Sequence, residues 1–163
     1  MDTLDQIDLQ LLNILQADGR ISQAELAQRV NLTPPSVQRR IRLLEERGYI
    51  KGYTAVLNPL PFGFAVTAFI FVESNAGCDL EGLSDNLTRL PGVQEVHRLI
   101  GEWCFLLKVR TDTPSNLEQL IYQGLRKFPD VRRTLTILAT SSPRETTYLP
   151  ILFSELQKTL NGF

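Results

Sequence analysis

Apolar side chains return every three or four residues at the start of the chain (Leu4, Ile7, Leu11, Ile14, Leu15), so residues 4–17 are predicted to form an amphipathic helix. Asp5 and Asp8 suit the positive end of its dipole, and Asp18-Gly19 closes it. Ser22-Gln23-Ala24-Glu25 has the spacing of a capping box, opening a short helix with Leu26 and Val30 inward and Asn31 as a left-handed stop. Thr33 then caps a third helix with Pro34 in its first turn, Val37, Ile41 and Leu44 on its inner side, and Gly48 at its end. A longer supporting helix followed by two short ones on a tight turn is the helix-turn-helix arrangement.

Beyond Gly48 the period shifts from helical to strand-like. Tyr49–Lys51 and Tyr53–Leu57 are β-prone runs hinged at Gly52, read either as a small wing presenting Lys51 or as a plain connector. Asn58-Pro59-Leu60-Pro61 interrupts regular structure, placing one domain at residues 1–58, a strand and linker at 50–61, and a second domain at 62–163. In the second domain the pattern predicts a strand over 64–73, a helix over 80–90, strands over 93–100 and 103–111, a helix from Pro114 to Phe128, and a strand over 131–140. This β-α-β-β-α-β order is the ferredoxin-like split unit, with helices on one sheet face and the other face left open. The whole is an α+β chain with a winged helix-turn-helix domain ahead of a ferredoxin-like domain. Ile151, Leu152, Phe153, Leu156 and Leu160 form a last amphipathic pattern, packed on its own domain or on a second subunit.

Composition narrows the function. With 163 residues and 43% hydrophobic content the chain is globular, and a net charge of −1 exerts no bulk attraction for polyanions. Charge is local instead: from Thr33 to Tyr53, Arg39, Arg40, Arg42, Arg47 and Lys51 stand against only Glu45 and Glu46. Ser36, Gln38, Arg39, Arg40 and Arg42 lie away from the apolar side of the third helix, and arginines beside an amide suit phosphates and base edges. Thr33, at the head of that helix, and Lys51, beside it, complete the candidate DNA-facing set. Cys78 and Cys104 are far apart and His97 is the lone histidine, which argues against a disulfide framework or a metal site. No metal or cofactor is expected. The longest apolar run, near Phe62–Val72, is too short to span a bilayer, and the chain starts without an apolar leader; a soluble cytoplasmic protein is expected.

Four stretches carry a resemblance: Leu4-Asp5-x-Ile7-Asp8 with Leu11-Leu12; Asp18-Gly19-Arg20-Ile21-Ser22; Arg39-x-x-x-Leu43-x-x-x-Arg47-Gly48-Tyr49-Ile50-Lys51-Gly52-Tyr53; and His97 followed by Gly101. Together they resemble the Lrp/AsnC (leucine-responsive/asparagine regulator) family of transcription factors over nearly the whole chain. The resemblance implies a winged DNA-binding domain and a second domain that dimerises through its open sheet. It also implies dimers assembling into tetramers or octamers, and small-molecule effectors, commonly amino acids, bound between dimers. The family's effector loop, usually Gly-Asp-aromatic-Asp, corresponds here to Gly101-Glu102-Trp103-Cys104, in which the second acid is replaced. Arg98, Leu138 and Thr140 fall where family members line that pocket; ordinary sheet and interface packing is the competing reading for all three.

Two other readings compete with an effector-responsive regulator acting on a roughly palindromic operator. An enzyme using a cavity between paired sheets finds little support, because His97 has no nucleophile at motif spacing and Cys104 falls in an apolar strand pattern. An amino-acid-binding oligomer acting through protein partners is opposed by the arginine-bearing helix face.

Overall fold

The computed structural model describes residues 4–151, and these divide into two compact units. The first combines the residues up to Ala55 with those from Glu145 onward; the second is Val56–Arg144.

The first unit holds α1 (Gln6–Ala17), α2 (Gln23–Arg29) and α3 (Pro34–Glu46). Asp5 and Asp8 do more than favour the dipole. They form a reciprocal capping box, the Asp8 N–H donating to Asp5 Oδ1 at 2.8 Å and the Asp5 N–H to Asp8 Oδ2 at 3.2 Å. At α2 only half of the expected box is made: the Glu25 N–H donates to Ser22 Oγ, but the Glu25 carboxylate takes Arg29 at 2.6 Å instead of reaching back. Thr33 occupies the N-cap position of α3 without a capping hydrogen bond; its hydroxyl pairs with that of Ser36 at 2.9 Å. Asn31 is left-handed (φ 54°), and Gly48 at φ 75° lets the Tyr49 N–H reach the Leu44 carbonyl and its own N–H reach that of Glu45, a Schellman ending.

Leu11 packs with Leu26, Ala27, Val30 and Val37 between the three helices. Leu9 and Leu12, on another side of α1, are buried with Leu44 and receive Ile50 and Ile151. That side of α1 is covered by the returning chain. Gln16 Nε2 donates to the Leu149 carbonyl at 3.1 Å, its Oε1 accepts the Leu149 N–H at 2.7 Å, and Asn13 donates to the Ile151 carbonyl at 3.2 Å. Residues 145–151, which the sequence placed in the domain at 62–163, therefore pack with the helices, through an amide-to-backbone pairing between positions 133 residues apart. The amphipathic pattern beyond Ile151 lies outside the described residues.

Of the two readings of Tyr49–Leu57, a small wing or a plain connector, the described backbone has the form of a connector. Among the described residues Tyr49–Leu57 forms no strand and pairs with none, and Val56 is 95% exposed.

In the second unit β1 (Val66–Ser74), β2 (Val93–Arg98), β3 (Phe105–Thr111) and β4 (Val131–Ala139) form an antiparallel sheet in the order β2-β3-β1-β4. Ala68, Ile70 and Val72 of β1 with Phe105, Leu107 and Val109 of β3 meet α4 (Leu80–Thr88) and α5 (Pro114–Gln119) in a fully enclosed core. The second helix is not regular to Phe128 as its periodicity suggested. After α5 the chain widens into a π turn, Leu120–Gly124, and tightens into a 3₁₀ turn, Leu125–Lys127. The reason is the five-residue step from Leu120 to Leu125: both are buried, and a wide turn is what brings that spacing onto one face. On the opposite sheet face lie Phe69, Phe71, Leu135 and Ile137; Leu135 and Ile137 remain 45% and 49% exposed.

Candidate functional site

α3 presents two different sides. Val37 and Leu44 are buried, while Ser36, Gln38, Arg39 and Arg42 are exposed, as are Thr33 and Lys51. The outward side carries Arg39 and Arg42 in its middle turns and acids at its end, where Glu46 is paired with Arg42 at 2.8 Å and Glu45 accepts the Tyr53 hydroxyl at 3.1 Å. Burial, and then the Glu45 carboxylate, push the Tyr53 phenol up to about 12. Anionic phosphate is therefore favoured at the N-terminal turns of α3, the end from which helix-turn-helix proteins contact base edges.

Arg40 departs from its expected role. The sequence grouped it with the DNA-facing arginines, but its guanidinium turns toward α1 and donates to Asp5 Oδ2 and Asp8 Oδ1, both at 2.7 Å. Both carboxylates, Asp8 foremost, raise the Arg40 pKa. Burial opposes ionisation of Asp5, yet the Asp8 N–H and Arg40 outweigh it and hold that carboxyl below its ordinary value. Arg40 is a brace between helices. Arg39 is exposed and makes no ion pair among the described residues.

The second candidate site is the β2–β3 connection. Its ends are tied by the Leu99 N–H donating to the Cys104 carbonyl at 2.8 Å and the Cys104 N–H to Val72 at 2.9 Å. Gly101 has φ 144°, a conformation suited to glycine. Cys104 Sγ lies 3.1 Å from Ser74 Oγ. Glu102 reaches Arg133, whose guanidinium also pairs with Glu73 and lies 4.6 Å over the Trp103 ring; Trp103 in turn meets Phe71 at 5.8 Å between ring centroids. Arg133 foremost among its partners holds the Glu73 carboxyl below its usual range.

The structure gathers only part of the expected pocket. Arg98 sits at the loop end of β2, opposite Phe105. Leu138 belongs to the opposite edge strand, with Thr140 just past its last residue, and both lie toward the other end of the sheet: Leu138 pairs with Ala68, whereas the loop joins β1 at Val72, roughly 13 Å away at about 3.3 Å per residue. Within one chain they do not line the same cavity as Gly101–Cys104. Arg133 and Glu73, absent from the expected set, do meet that loop. The Arg132-Arg133 pair at the head of the last strand was the available signal, but only strand register shows which loop it faces.

Residues 4–51 match a family profile described as winged helix-turn-helix DNA-binding, and residues 67–149 match one described as the Lrp/AsnC ligand binding domain. Over 150 residues the chain is 36% identical to the leucine-responsive regulatory protein of Escherichia coli, covering 91% of this chain and 92% of that protein. The chain belongs to the Lrp/AsnC family. Similar solved structures include a transcriptional regulator of Neisseria meningitidis in complex with L-Met, at 28% identity and TM-score 0.86 over 91% of this chain and 97% of that one. Another is the leucine response regulatory protein of Mycobacterium tuberculosis, at 32% identity and TM-score 0.77 over 87% and 96%.

As an Lrp/AsnC member the protein is a DNA-binding transcriptional regulator with a ligand-binding domain, and the family is one of regulators rather than enzymes. The groups weighed for catalysis have structural partners: His97 Nε2 lies 3.0 Å from Glu95, which also accepts Lys108 at 3.3 Å. No described helix is long and apolar enough to cross a membrane.

Proposed function

We propose that this Lrp/AsnC regulator is a cytoplasmic protein that reads a roughly palindromic operator through α3 and responds to an amino acid held at the Gly101–Cys104 loop between dimers. The observation that carries the DNA reading is the exposed outward side of α3, where Ser36, Gln38, Arg39 and Arg42 stand together and the acids come only at the last turn. Thr33 and Lys51 flank it and serve phosphate contacts. Two copies related by a twofold axis would set half-sites about 10 bp, or a multiple, apart.

Dimerisation is supported by the apolar open face of the sheet and by the unpaired run in which Val56, Leu57, Leu60 and Phe62 are at least 64% exposed. Pairs then assemble into a tetramer or octamer. A ligand lodged between dimers alters operator affinity to the extent that it prefers one assembly geometry over another. The separation of Leu138 and Thr140 from the loop supports a pocket shared between subunits, since only a second copy can bring such distant positions together.

The test is selection of bound sequences from a random duplex pool, followed by titration with each of the twenty amino acids. Enrichment of a palindrome whose affinity changes with one amino acid is expected. Equal affinity for all duplexes would overturn the DNA reading in favour of action through protein partners. Operator binding indifferent to every amino acid would overturn the effector.

A further inference from the structure

Arg133 is held by two carboxylates of very different standing. Its Nε donates to Glu73, whose side chain is only 13% exposed and is steadied from its other oxygen by Arg132 at 2.7 Å. Its Nη2 donates to Glu102, which is 67% exposed and rides on the β2–β3 loop. The first contact is an anchor in the sheet; the second is an exposed ion pair of the kind that contributes little to stability. Beneath both, the guanidinium lies over Trp103, which rests against Phe71.

Such a pair suits a ligand that carries both charges on one carbon. An α-amino acid entering between Glu102 and Arg133 brings its ammonium to the one and its carboxylate to the other, replacing one weak internal pair by two charge-assisted contacts. An amine alone leaves Arg133 Nη2 without its acid, and an acid alone leaves Glu102 without its base. Glu73 keeps the guanidinium oriented throughout, so that side chain need not move. This also answers the loss of the second acid at Cys104: the ammonium acceptor is Glu102, freed when the carboxylate takes its place on Arg133.

Resting on the amino-acid reading above, we propose that Arg133 is the carboxylate-binding residue of the ligand site and that the ligand enters by parting the Arg133–Glu102 pair.

The full-length protein is screened by thermal shift against the twenty amino acids, and the one giving the largest shift is titrated by calorimetry together with its methyl ester and its N-acetyl derivative. Wild type is expected to bind the free amino acid about ten- to a hundredfold more tightly than either derivative. Arg133→Ala is expected to lose that same factor for the amino acid and nothing further for the ester, because the ester has already lost the group that Arg133 recognises. Glu102→Gln is expected to act in the same way on the N-acetyl comparison. If Arg133→Ala weakens acid and ester equally, or weakens neither, the assignment is overturned while the amino-acid reading stands. If none of the twenty binds, both fall.

Discussion

The guanidinium of Arg40 and the carboxylate of Asp8 meet at 2.7 Å across 32 positions of sequence, joining the head of α1 to the middle of α3. Their side chains are 31% and 16% exposed, so the pair is partly desolvated. Arg40→Ala strands Asp8 and is expected to destabilise the helical unit by roughly 1–2 kcal/mol. Urea unfolding of the single and double variants checks it: Asp8→Ala in the same chain should recover part of the loss. Base discrimination by the folded protein should be unchanged, in contrast to what a DNA-reading arginine would show.

The same brace has an acid signature. Asp5 has a carboxyl depressed in the folded state, so its contribution is present above its ordinary value near 3.8 and is lost as pH falls through the lower folded value. Asp5→Asn is expected to flatten the acid limb of a stability-versus-pH curve recorded by thermal unfolding; an unchanged limb would count against the pairing.

For Arg39, exposed and unpaired among the described residues, removal should touch DNA alone. Arg39→Ala is expected to lower operator affinity by about 1–3 kcal/mol with a smaller loss on random duplex. Lys51→Ala should weaken all sequences alike and reduce the salt slope by about one. Fluorescence anisotropy at several salt concentrations separates the two.

Tyr53 gives the alkaline counterpart. Its neutral phenol donates to Glu45 and its folded pKa is about 12 against an ordinary 10.0, so the stability it brings is complete below pH 10 and disappears as pH rises through the folded value. Wild type minus Tyr53→Phe should therefore converge above that range, as followed by circular dichroism.

Two left-handed glycines of the sheet unit should respond differently. At Gly92 (φ 84°) a Cβ would lie 2.7 Å from the Arg110 carbonyl oxygen, whereas at Gly77 (φ 77°) nothing lies within 4 Å. Gly77→Ala is expected to cost about 1 kcal/mol for the backbone conformation alone. Gly92→Ala should cost at least about 2 kcal/mol more, since a backbone oxygen has to move. Denaturant midpoints of the two variants decide it.

Much of this architecture is local, and local features are legible in one dimension. Three- and four-residue spacing marks α1 to α4, alternation marks β4, and Asn31 and Gly48 announce the ends that their left-handed backbone makes. The outward station of Gln38, Arg39 and Arg42 follows from the inward station of Val37 and Leu44, because helical geometry links them. What spacing could not supply is the identity of long-range partners. That Arg40 turns to Asp5 and Asp8, that Gln16 holds the backbone at Leu149, and that Arg133 lies over Trp103 all depend on how elements pack and on strand register. Periodicity tells each residue which side it faces; only the folded chain, by bringing distant charges and amides within hydrogen-bond reach, decides what is waiting there.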